Sequence, residues 1–306
     1  MTKSKELHVF LRGGLGNQLF QYSTGLALAK AQGRELVLRG DLLPEVEDSI
    51  SGVSRWPNQI SDFHYSGIIQ TKSYQPPGRT NWVGKSMQLM RLLGDKLPSL
   101  VAKMGWLASE NGSSSDAILQ RPVRLINSYS SSKNLAFSNR DKLRQEIGDI
   151  RGPSKKFLQL TAEMQMSDVV AVHLRQGDYL NLSHIYGSYS LNFLKVAIEE
   201  LKQIGPEPNI WLFTDTPDST PEDVLGFLRP QKVIGPEVLT RPLENLILMS
   251  RAKALIAANS SFSWWAALLT SAGTPVIAPR ILNAKVNNFS IDLEPDENWR
   301  TLDVSE

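Results

Sequence analysis

The sequence contains no cysteine among its 306 residues. This absence excludes disulfide bonds, zinc sites built on thiolates and cysteine nucleophiles, and it removes one reason to expect a secreted protein. No stretch reaches the ~18 uninterrupted apolar residues that a membrane-spanning helix needs. The first residues lack the charged, hydrophobic and cleavage regions of a signal peptide, so we expect a cytoplasmic protein.

The sequence also has no large excess of charge of either sign. The formal net charge is +2, from 33 basic and 31 acidic side chains, and no block of like charges argues for nucleic acid as a partner. Hydrophobic residues make up 41% of the chain and charged residues 21%, which is typical of a globular protein and not of a disordered or fibrous one. The length suits two domains, and the mildly basic balance suits a local anion site.

The chain opens with a strand, a turn, a helix and a second strand. Leu7 to Leu11 predicts a buried strand, Arg12 to Gln18 a glycine-rich turn, and Leu19 to Gln32 a helix with Gly33 as its C-cap. Leu36 to Leu38 then predicts the second strand. A strand, helix, strand unit of this kind begins a parallel sheet.

The middle of the chain gives weaker signals. Trp82 to Leu107 combines regularly spaced leucines with basic residues and is interrupted near Pro98, which predicts a pair of basic amphipathic helices. The simpler interpretation is that these helices pack on their own domain. The alternative is a membrane-surface segment. Glu110 to Asp116 is polar and predicts a loop.

The second half alternates strand and helix patterns and predicts a doubly wound α/β domain. Gly152 and Pro153 mark the start of this unit, so we divide the chain into domains of residues 1–151 and 152–306. The predicted strands are Val169 to Leu174, Ile210 to Thr214, Lys232 to Ile234, Ala254 to Ala258 and Pro275 to Ala278; the predicted helices are Leu191 to Ile204, Glu222 to Leu228, Glu244 to Ala252 and Ser263 to Ala272.

Charged side chains follow the first strand of this second domain. His173, Arg175 and Asp178 bring an imidazole, a guanidinium and a carboxylate to one strand end, where ligands bind in open parallel sheets. Arginine can bind a phosphate through two parallel hydrogen bonds and neutralise a diphosphate leaving group without a metal ion. We therefore predict Arg175 as the main phosphate ligand. The alternative is a structural ion pair of Arg175 with Asp178 beside a core histidine.

A run of small hydroxyl residues follows another strand and leads into a helix. Ser260 and Ser261 lie at this helix start, where free backbone amides form an anion site, and we expect both to contact phosphate. The alternative for Ser260 is a simple N-cap. Trp264 and Trp265, which follow, are expected to fill the core.

Two further segments carry weaker signals. Asp215 and Asp218 lack the Asp-x-Asp spacing of metal-dependent nucleotide-sugar transferases, so Asp215 is either a donor-site residue or the cap of an ordinary turn, and no metal is expected. The turn with Gly14 and Gly16 lets a ligand approach the backbone, and Asn17 and Gln18 at the helix start supply hydrogen bonds there. Leu19 replaces the third glycine of the dinucleotide fingerprint, which weakens an oxidoreductase interpretation.

Four ordered motifs together resemble the alpha-1,2-fucosyltransferase family, which has bacterial and animal members. They are Gly13 to Tyr22, His173 to Tyr179, Phe213 to Asp215 and Glu244 to Ala267, whose Asn-Ser-Ser-Phe-Ser-Trp-Trp-Ala-Ala core is distinctive. The motifs span nearly the whole chain, while residues 41 to 165 carry none.

The resemblance implies a GT-B architecture: two Rossmann-like domains face a cleft, with the acceptor on the N-terminal side and the donor mostly on the C-terminal domain. It implies transfer of L-fucose from GDP-fucose to the 2-OH of a terminal beta-galactoside, with inversion and without a metal or other cofactor. The expected partners are GDP-fucose and a galactose-terminated glycan. The residues assigned to donor binding are Asn17, Gly14, Gly16, Asp215, Asn259, Ser260, Ser261 and Phe262.

By similarity, Arg175 engages the diphosphate, His173 and Asp178 flank it, and Asp178 is the candidate general base or an orienting partner of Arg175. The family motif usually has two consecutive arginines, and Gln176 stands in place of the second. Either another cation compensates, with Arg12 and Arg280 as candidates, or the second arginine is structural in relatives.

Three alternatives remain open at the level of sequence. They are a GDP-sugar transferase of different linkage or acceptor, a non-catalytic membrane-surface adaptor, and peripheral contact of the enzyme with a membrane that carries a lipid-linked acceptor.

Overall fold

The structure is a computed structural model in which the described residues form two compact units, one ending at Asp149 and one starting at Ile150. Both are α/β units built on parallel sheets. No helix in the described part of the chain is long and apolar enough to cross a bilayer. The structure describes residues 6–40, 43, 48–50, 53–55, 57–66, 68–70, 89, 92–93, 96–103, 105–113, 123, 125–130, 133–176, 191–202, 209–280 and 295–303.

The first unit contains a five-stranded parallel sheet in the order β5-β2-β1-β7-β6. The central strand β1 pairs with β2 through Leu7 opposite Leu36 and with β7 through Val9 opposite Ile126, and all four side chains are buried. A short antiparallel hairpin, β3 with β4, lies outside this sheet. The strands are β1 (Glu6–Phe10), β2 (Glu35–Arg39), β3 (Asp48–Ile50), β4 (Val53–Arg55), β5 (Ile68–Gln70), β6 (Trp106–Ser113) and β7 (Leu125–Ser130).

The longest helix, α1, connects β1 to β2 and packs on this sheet. Gly14 is its N-cap, and Gly33 ends it in the left-handed conformation at φ 58°, as the sequence predicted. The helix begins at Leu15, four residues earlier than predicted, because the glycine turn is shorter than the run of glycines suggested. The described helices of the first unit are α1 (Leu15–Gln32), α2 (Pro98–Lys103), α3 (Lys133–Ser138) and α4 (Arg140–Gly148).

The second unit contains a six-stranded parallel sheet in the order β10-β9-β8-β11-β12-β13. Counted within the unit, this is the 3-2-1-4-5-6 order of the Rossmann fold, in which the strand order reverses between the first and fourth strands. Here those two strands are β8 and β11, which pair through Val172 opposite Ile256. The strands are β8 (Val169–Leu174), β9 (Asn209–Thr214), β10 (Lys232–Ile234), β11 (Ala254–Ile256), β12 (Val276–Pro279) and β13 (Arg300–Leu302).

The core of the second unit lies between this sheet and its helices. Val172, Leu212 and Ile256 from three strands pack with Leu194 and Val224 from two helices, and all five are buried. Trp264 and Trp265 are also buried, which confirms their predicted role as core residues. The described helices are α5 (Lys155–Gln165), α6 (Leu191–Lys202), α7 (Glu222–Leu228), α8 (Pro242–Ser250) and α9 (Ser261–Leu269).

Two predictions for the middle of the chain are wrong. Glu110 to Asp116 was predicted to form a loop, yet the residues through Ser113 extend β6, and Ser113 pairs with Ser130 of β7 after a shift in register. The rest of that predicted loop lies outside the described residues. The predicted helical segment also ends before Trp106, where β6 begins. The leucines Leu89, Leu92, Leu93, Leu97 and Leu100 of this segment are exposed, while α2 itself contacts β6.

Gly25 lies inside α1 at the point where the helix meets the sheet. A Cβ at this position would lie 2.7 Å from Val9 Cγ2 and 2.9 Å from Leu36 Cδ1. The side chain of Val9 is buried and stiff at χ1, so it cannot easily move away. The absence of a side chain at residue 25 therefore sets how closely α1 approaches β1 and β2.

We expect Gly25→Ala to lower the free energy of unfolding by about 1–3 kcal/mol through overpacking. Alanine in a helix interior normally has the opposite effect, a gain of about 0.5–1 kcal/mol over glycine. Gly226 supplies the matched control, because it is exposed within α7 and a Cβ added there would have no neighbouring atom within 4 Å. Urea unfolding should show that Gly226→Ala raises the free energy of unfolding and that Gly25→Ala lowers it. A change of the same sign in both variants would contradict the close approach of α1 to the sheet.

Candidate active site

The polar residues at the end of β8 lie at the point where the strand order of the second unit reverses. All six residues of β8 are buried, and Arg175 and Gln176 follow it directly. In open parallel sheets, ligands bind beyond the carboxyl ends of the strands at this reversal. The topology therefore places the predicted phosphate ligand at the position where a ligand site is expected.

Arg175 forms an ion pair with Asp215. Its Nη1 lies 2.9 Å from the Asp215 Oδ2, and the two side chains are 22% and 20% exposed. The pairing follows from strand register, because Leu174 at the end of β8 lies opposite Thr214 at the end of β9. Asp215 is thus a partner of the arginine, and the ion pair orients the guanidinium.

Gln176 is held by the same neighbouring strand end. Its backbone N–H donates to Asp215 Oδ1 at 3.0 Å, and its side-chain oxygen accepts from the Thr216 hydroxyl at 3.4 Å. Residue 176 therefore connects the two loops that follow β8 and β9. In this chain the position has a structural role that glutamine can fill.

Arg280 is one candidate for the cation that compensates for the missing second arginine. It follows β12 directly, and its Nε lies 3.3 Å from the Asp303 carboxylate, with both side chains more than half exposed. Its charge is therefore balanced locally by Asp303 in this structure.

His173 is the fifth residue of β8 and is only 4% exposed. Burial, and to a lesser degree the positive charge of Arg175, lowers its pKa from 6.5 to about 3. The imidazole is therefore neutral at ordinary pH. Its ring lies 5.7 Å from the Phe262 ring, and its Nδ1 is buried with no hydrogen-bond partner in the described part of the chain.

The lowered pKa of His173 makes stability depend on pH. Between pH 7 and pH 5 the unfolded histidine, with its pKa of 6.5, takes up a proton that the folded protein does not bind. The contribution of His173 to the free energy of unfolding is fully present above the pKa of the unfolded histidine. It decreases by about 2 kcal/mol as the pH falls to 5. Urea titrations at several pH values should show a smaller acid loss for His173→Gln. An acid loss in His173→Gln equal to that of wild type would show that burial of His173 does not cause it.

The serine turn before α9 is organised by its own hydroxyls. Ser260 is the N-cap, and its Oγ accepts from the Phe262 N–H at 3.2 Å. The Ser263 Oγ accepts from the Ala258 N–H at 3.0 Å and donates to the Ala258 carbonyl at 3.1 Å. Ser260 therefore does cap the helix, the alternative that the sequence left open.

The remaining predicted donor residues of the second unit surround this turn. Ser261 is the first residue of α9 and is partly exposed, as is Asn259 in the turn before it. Phe262 is also partly exposed and contacts His173, which connects the start of α9 to the end of β8. The amino end of α9 and the Arg175–Asp215 pair thus lie at the ends of three neighbouring strands of one sheet, β11, β8 and β9, and His173 lies within β8.

The glycine turn of the first unit follows β1. Gly13 has φ 68°, a conformation that favours glycine, and a Cβ there would lie 2.6 Å from the Asn17 Nδ2. Asn17 therefore folds back over the turn. Gly14 caps α1, and Gly16 is buried in its first turn.

Two glutamines hold this turn in place. The sequence indicated Gln18 as a hydrogen-bonding residue at the helix start, and it did not identify Gln21. Gln18 donates from Nε2 to the carbonyls of Gly13 and Pro57, both at 2.8 Å, and its Oε1 accepts from the Gln59 N–H. Gln21 accepts from the Arg12 N–H at 2.9 Å. In the sequence, the available signal was the pair of amide side chains, Gln18 and Gln21, three residues apart and so on the same side of α1.

Tyr22, at the end of the same motif, anchors α1 from its other side. Its hydroxyl donates to Glu146 on α4 and accepts from the Ser66 N–H at 2.9 Å. Burial, helped by the hydrogen bond and the charge of Glu146, raises the pKa of Tyr22. The motif that begins with the glycine turn is thus fixed at both ends.

Asp178, the predicted base, lies outside the described residues, so its role stays a prediction. Among the residues that the structure does describe, no group of three or more histidine, aspartate or glutamate side chains could hold a metal ion. The predicted donor residues Gly14, Gly16 and Asn17 belong to the first unit, and the others to the second.

Comparison with known proteins identifies the family. The sequence model of Glycosyl transferase family 11 matches residues 122–300, more than half of the chain. The chain is 23% identical to the O-antigen biosynthesis glycosyltransferase WbnK of Escherichia coli, over 95% of this chain and 99% of WbnK. It is 26% identical to an alpha-1,2-colitosyltransferase of Escherichia coli, over 85% of this chain and 86% of that enzyme.

Among solved structures, POFUT1 in complex with GDP aligns with a TM-score of 0.51 at 16% identity, over 90% of this chain and 99% of POFUT1. At this identity the likeness concerns the fold alone. It confirms, with the two parallel sheets, the predicted pair of Rossmann-like α/β domains of the GT-B class; the cleft between them stays a prediction. The family match confirms the predicted resemblance, and this chain belongs to glycosyl transferase family 11.

Proposed function

We propose that this glycosyltransferase moves L-fucose from GDP-fucose to the 2-OH of a terminal beta-galactoside, with inversion and without a metal ion. The observation that carries the proposal is the position of Arg175. This arginine lies at the strand-order reversal of a Rossmann sheet, is oriented by Asp215, and follows a strand whose neighbour leads into the amino end of α9.

The charges at this sheet edge favour a diphosphate. The Arg175 guanidinium can bind two phosphate oxygens at once, and the backbone amides at the start of α9 add partial positive charge. Ser261, Asn259 and Phe262 border the same helix start. These groups would stabilise the negative charge that develops on GDP as its bond to fucose breaks.

Inversion requires a single displacement. The acceptor oxygen attacks C1 of fucose, the bond from C1 to the phosphate oxygen breaks, and GDP leaves with the electron pair. The hydroxyl proton passes to a general base, for which Asp178 is our candidate by its place in the motif. In this scheme His173 is a neutral, buried side chain that packs beside Phe262, because its lowered pKa keeps it uncharged.

We assign the acceptor side to the first unit. The turn formed by Gly13 and Gly14 leaves backbone groups accessible, and Asn17 adds an amide that can bind sugar hydroxyls or reach the donor. Gln18 and Gln21 would keep this turn in one conformation before a ligand binds.

The names of two relatives support a nucleotide-sugar donor and a glycan acceptor. One is an O-antigen biosynthesis glycosyltransferase and the other an alpha-1,2-colitosyltransferase. The second name favours colitose, a deoxy analogue of fucose, as the alternative transferred sugar. Transfer with a different linkage or acceptor is a further alternative, because contacts to the donor phosphates do not select the acceptor.

The test is mass spectrometry of purified protein mixed with EDTA, GDP-fucose and lactose or lacto-N-biose. We expect a product heavier by one fucosyl group, with the linkage then assigned by NMR. Release of GDP without a glycan product would reject the acceptor, and no reaction with GDP-fucose but transfer from GDP-colitose would reject the donor. Activity that appears only when a divalent metal replaces EDTA would reject the metal-independent mechanism.

We expect Asp178→Asn to lower kcat by about 100- to 10,000-fold, the range for loss of a general base. KM for GDP-fucose should change little. Asp218→Asn is the matched control, because Asp218 is an exposed aspartate in the turn after β9. An ordinary turnover rate in Asp178→Asn would remove Asp178 as the base.

A further inference from the structure

The leucines of the middle segment form an exposed cluster. Leu89, Leu92, Leu93, Leu97 and Leu100 are 36% to 57% exposed. Together they make up five of the eight exposed large hydrophobic side chains in the described part of the chain. Exposed apolar side chains that are grouped together mark an interaction site more often than isolated ones do. We call these five residues the leucine surface.

The spacing of the leucine surface is helical. Its members are separated by one, three or four residues, which places successive leucines on one side of a helix. The Leu97 N–H donates to the Leu93 carbonyl at 2.7 Å, and α2 begins at Pro98. Leu89, Leu92 and Leu93 thus lie in helical residues before Pro98, and Leu100 lies in α2 after it. The leucines are exposed on both sides of the proline.

The charge around these leucines is positive. Residues 82–107 contain four basic side chains, Lys85, Arg91, Lys96 and Lys103, and one acidic side chain, Asp95, for a net charge of +3. Because the whole chain carries only +2, the rest of the protein is slightly negative. Lys96 and Lys103 are exposed next to the leucines. In the sequence, positive charge is thus concentrated in the segment that carries these leucines.

We propose that the leucine surface docks on a bilayer that contains anionic phospholipid, with the leucines in the headgroup boundary and the lysines on the lipid phosphates. Amphipathic helices with leucine on one face and lysine on the other bind membranes in this way. A second copy of the chain fits less well, because two such surfaces would bring like charges together. Docking at the interface also needs no spanning helix.

This surface is independent of the proposed donor and reaction. Membrane docking would bring the first unit, to which we assign the acceptor, next to the bilayer. If the acceptor is attached to a lipid, the docked enzyme and its acceptor would then meet by diffusing laterally in the plane of the membrane.

The test is co-sedimentation with vesicles of phosphatidylcholine alone and of phosphatidylcholine with phosphatidylglycerol. We expect binding to the anionic vesicles that weakens as salt is raised, and little binding to the neutral ones. The double variant Lys96→Gln, Lys103→Gln should bind the anionic vesicles about 30-fold more weakly. The triple variant Leu92→Gln, Leu97→Gln, Leu100→Gln should lose at least about as much.

The matched control is Leu158→Gln, Met166→Gln, Val196→Gln, which removes three exposed apolar side chains from the second unit. It should bind vesicles like the wild type, and circular dichroism should show all variants folded. The proposal fails if the leucine variant binds as tightly as wild type or if the control loses as much. Sedimentation velocity gives a further test. The proposal also fails if the wild type is a dimer, the leucine variant is a monomer and neither binds vesicles, because the leucine surface would then be a contact between copies.

Discussion

Replacing Arg175 with alanine is expected to lower kcat/KM for fucosyl transfer by at least about 1,000-fold while the protein stays folded. The guanidinium is the charged group at the strand-order reversal of the second sheet, and its ion pair with Asp215 points it from the end of β8. A lysine at this position would restore charge without the planar fork, so Arg175→Lys should recover only part of the activity.

Arg300 offers the matched control for this experiment. It also forms an ion pair in the second unit, with Nε and Nη2 at 2.8 and 2.9 Å from the Glu200 carboxylate, but its side chain is mostly exposed. Arg300→Ala should leave transfer unchanged. A folded Arg175→Ala protein that turns over GDP-fucose at a near-normal rate would remove the main support for the proposed site.

Replacing Glu244 with alanine is expected to lower the free energy of unfolding by about 3 kcal/mol or more. Its carboxylate is 1% exposed and accepts from the Ser154 N–H at 2.7 Å, the Ser154 hydroxyl at 2.8 Å and Arg241 Nη1 at 3.1 Å. These bonds connect the start of α8 to the N-cap of α5. Without the carboxylate, the Ser154 amide and the Arg241 guanidinium lose a buried acceptor.

Calorimetry of Glu244→Ala would measure the loss, and Glu222→Ala, at an exposed glutamate in the first turn of α7, should stay close to wild type. Activity per folded molecule should hardly change, since Glu244 contacts only residues around the starts of α5 and α8 in the bonds described above. A thermal midpoint equal to wild type would show that the network contributes little. Glu244 opens the most distinctive motif of the sequence, yet its observed bonds are structural.

The second unit was the more predictable half, for a physical reason. Its strands are short apolar runs between helices with clear periodicity, so Val169–Leu174 and Lys232–Ile234 were predicted at their observed limits. The helix from Leu191 was also predicted to start where it does. In the first unit, β6 was missed because its second half is polar and its pairing with β7 includes a register shift between Ser109 and Ser113, which no local pattern reveals.

The sequence predicted individual residues of the site, but it did not predict which side chains pair with each other. The sequence indicated Arg175 as a strand-end residue, Ser260 at a helix start and two buried tryptophans, because each depends on nearby residues. The Arg175–Asp215 pair depends on the register of two strands about forty residues apart along the chain, which no local pattern reveals. The bond between Glu244 and Ser154 spans 90 residues and was unpredictable for the same reason.

The carboxylate of Asp215 also bears on how the enzyme completes its cycle. An arginine without a partner would bind GDP and keep it, so product inhibition would limit turnover. In the proposed mechanism Asp215 would compete with the diphosphate for the Arg175 guanidinium, because its oxygen already lies 2.9 Å from Nη1. The donor would then bind less tightly and GDP would leave faster, so we expect the ion pair to set the balance between affinity and turnover.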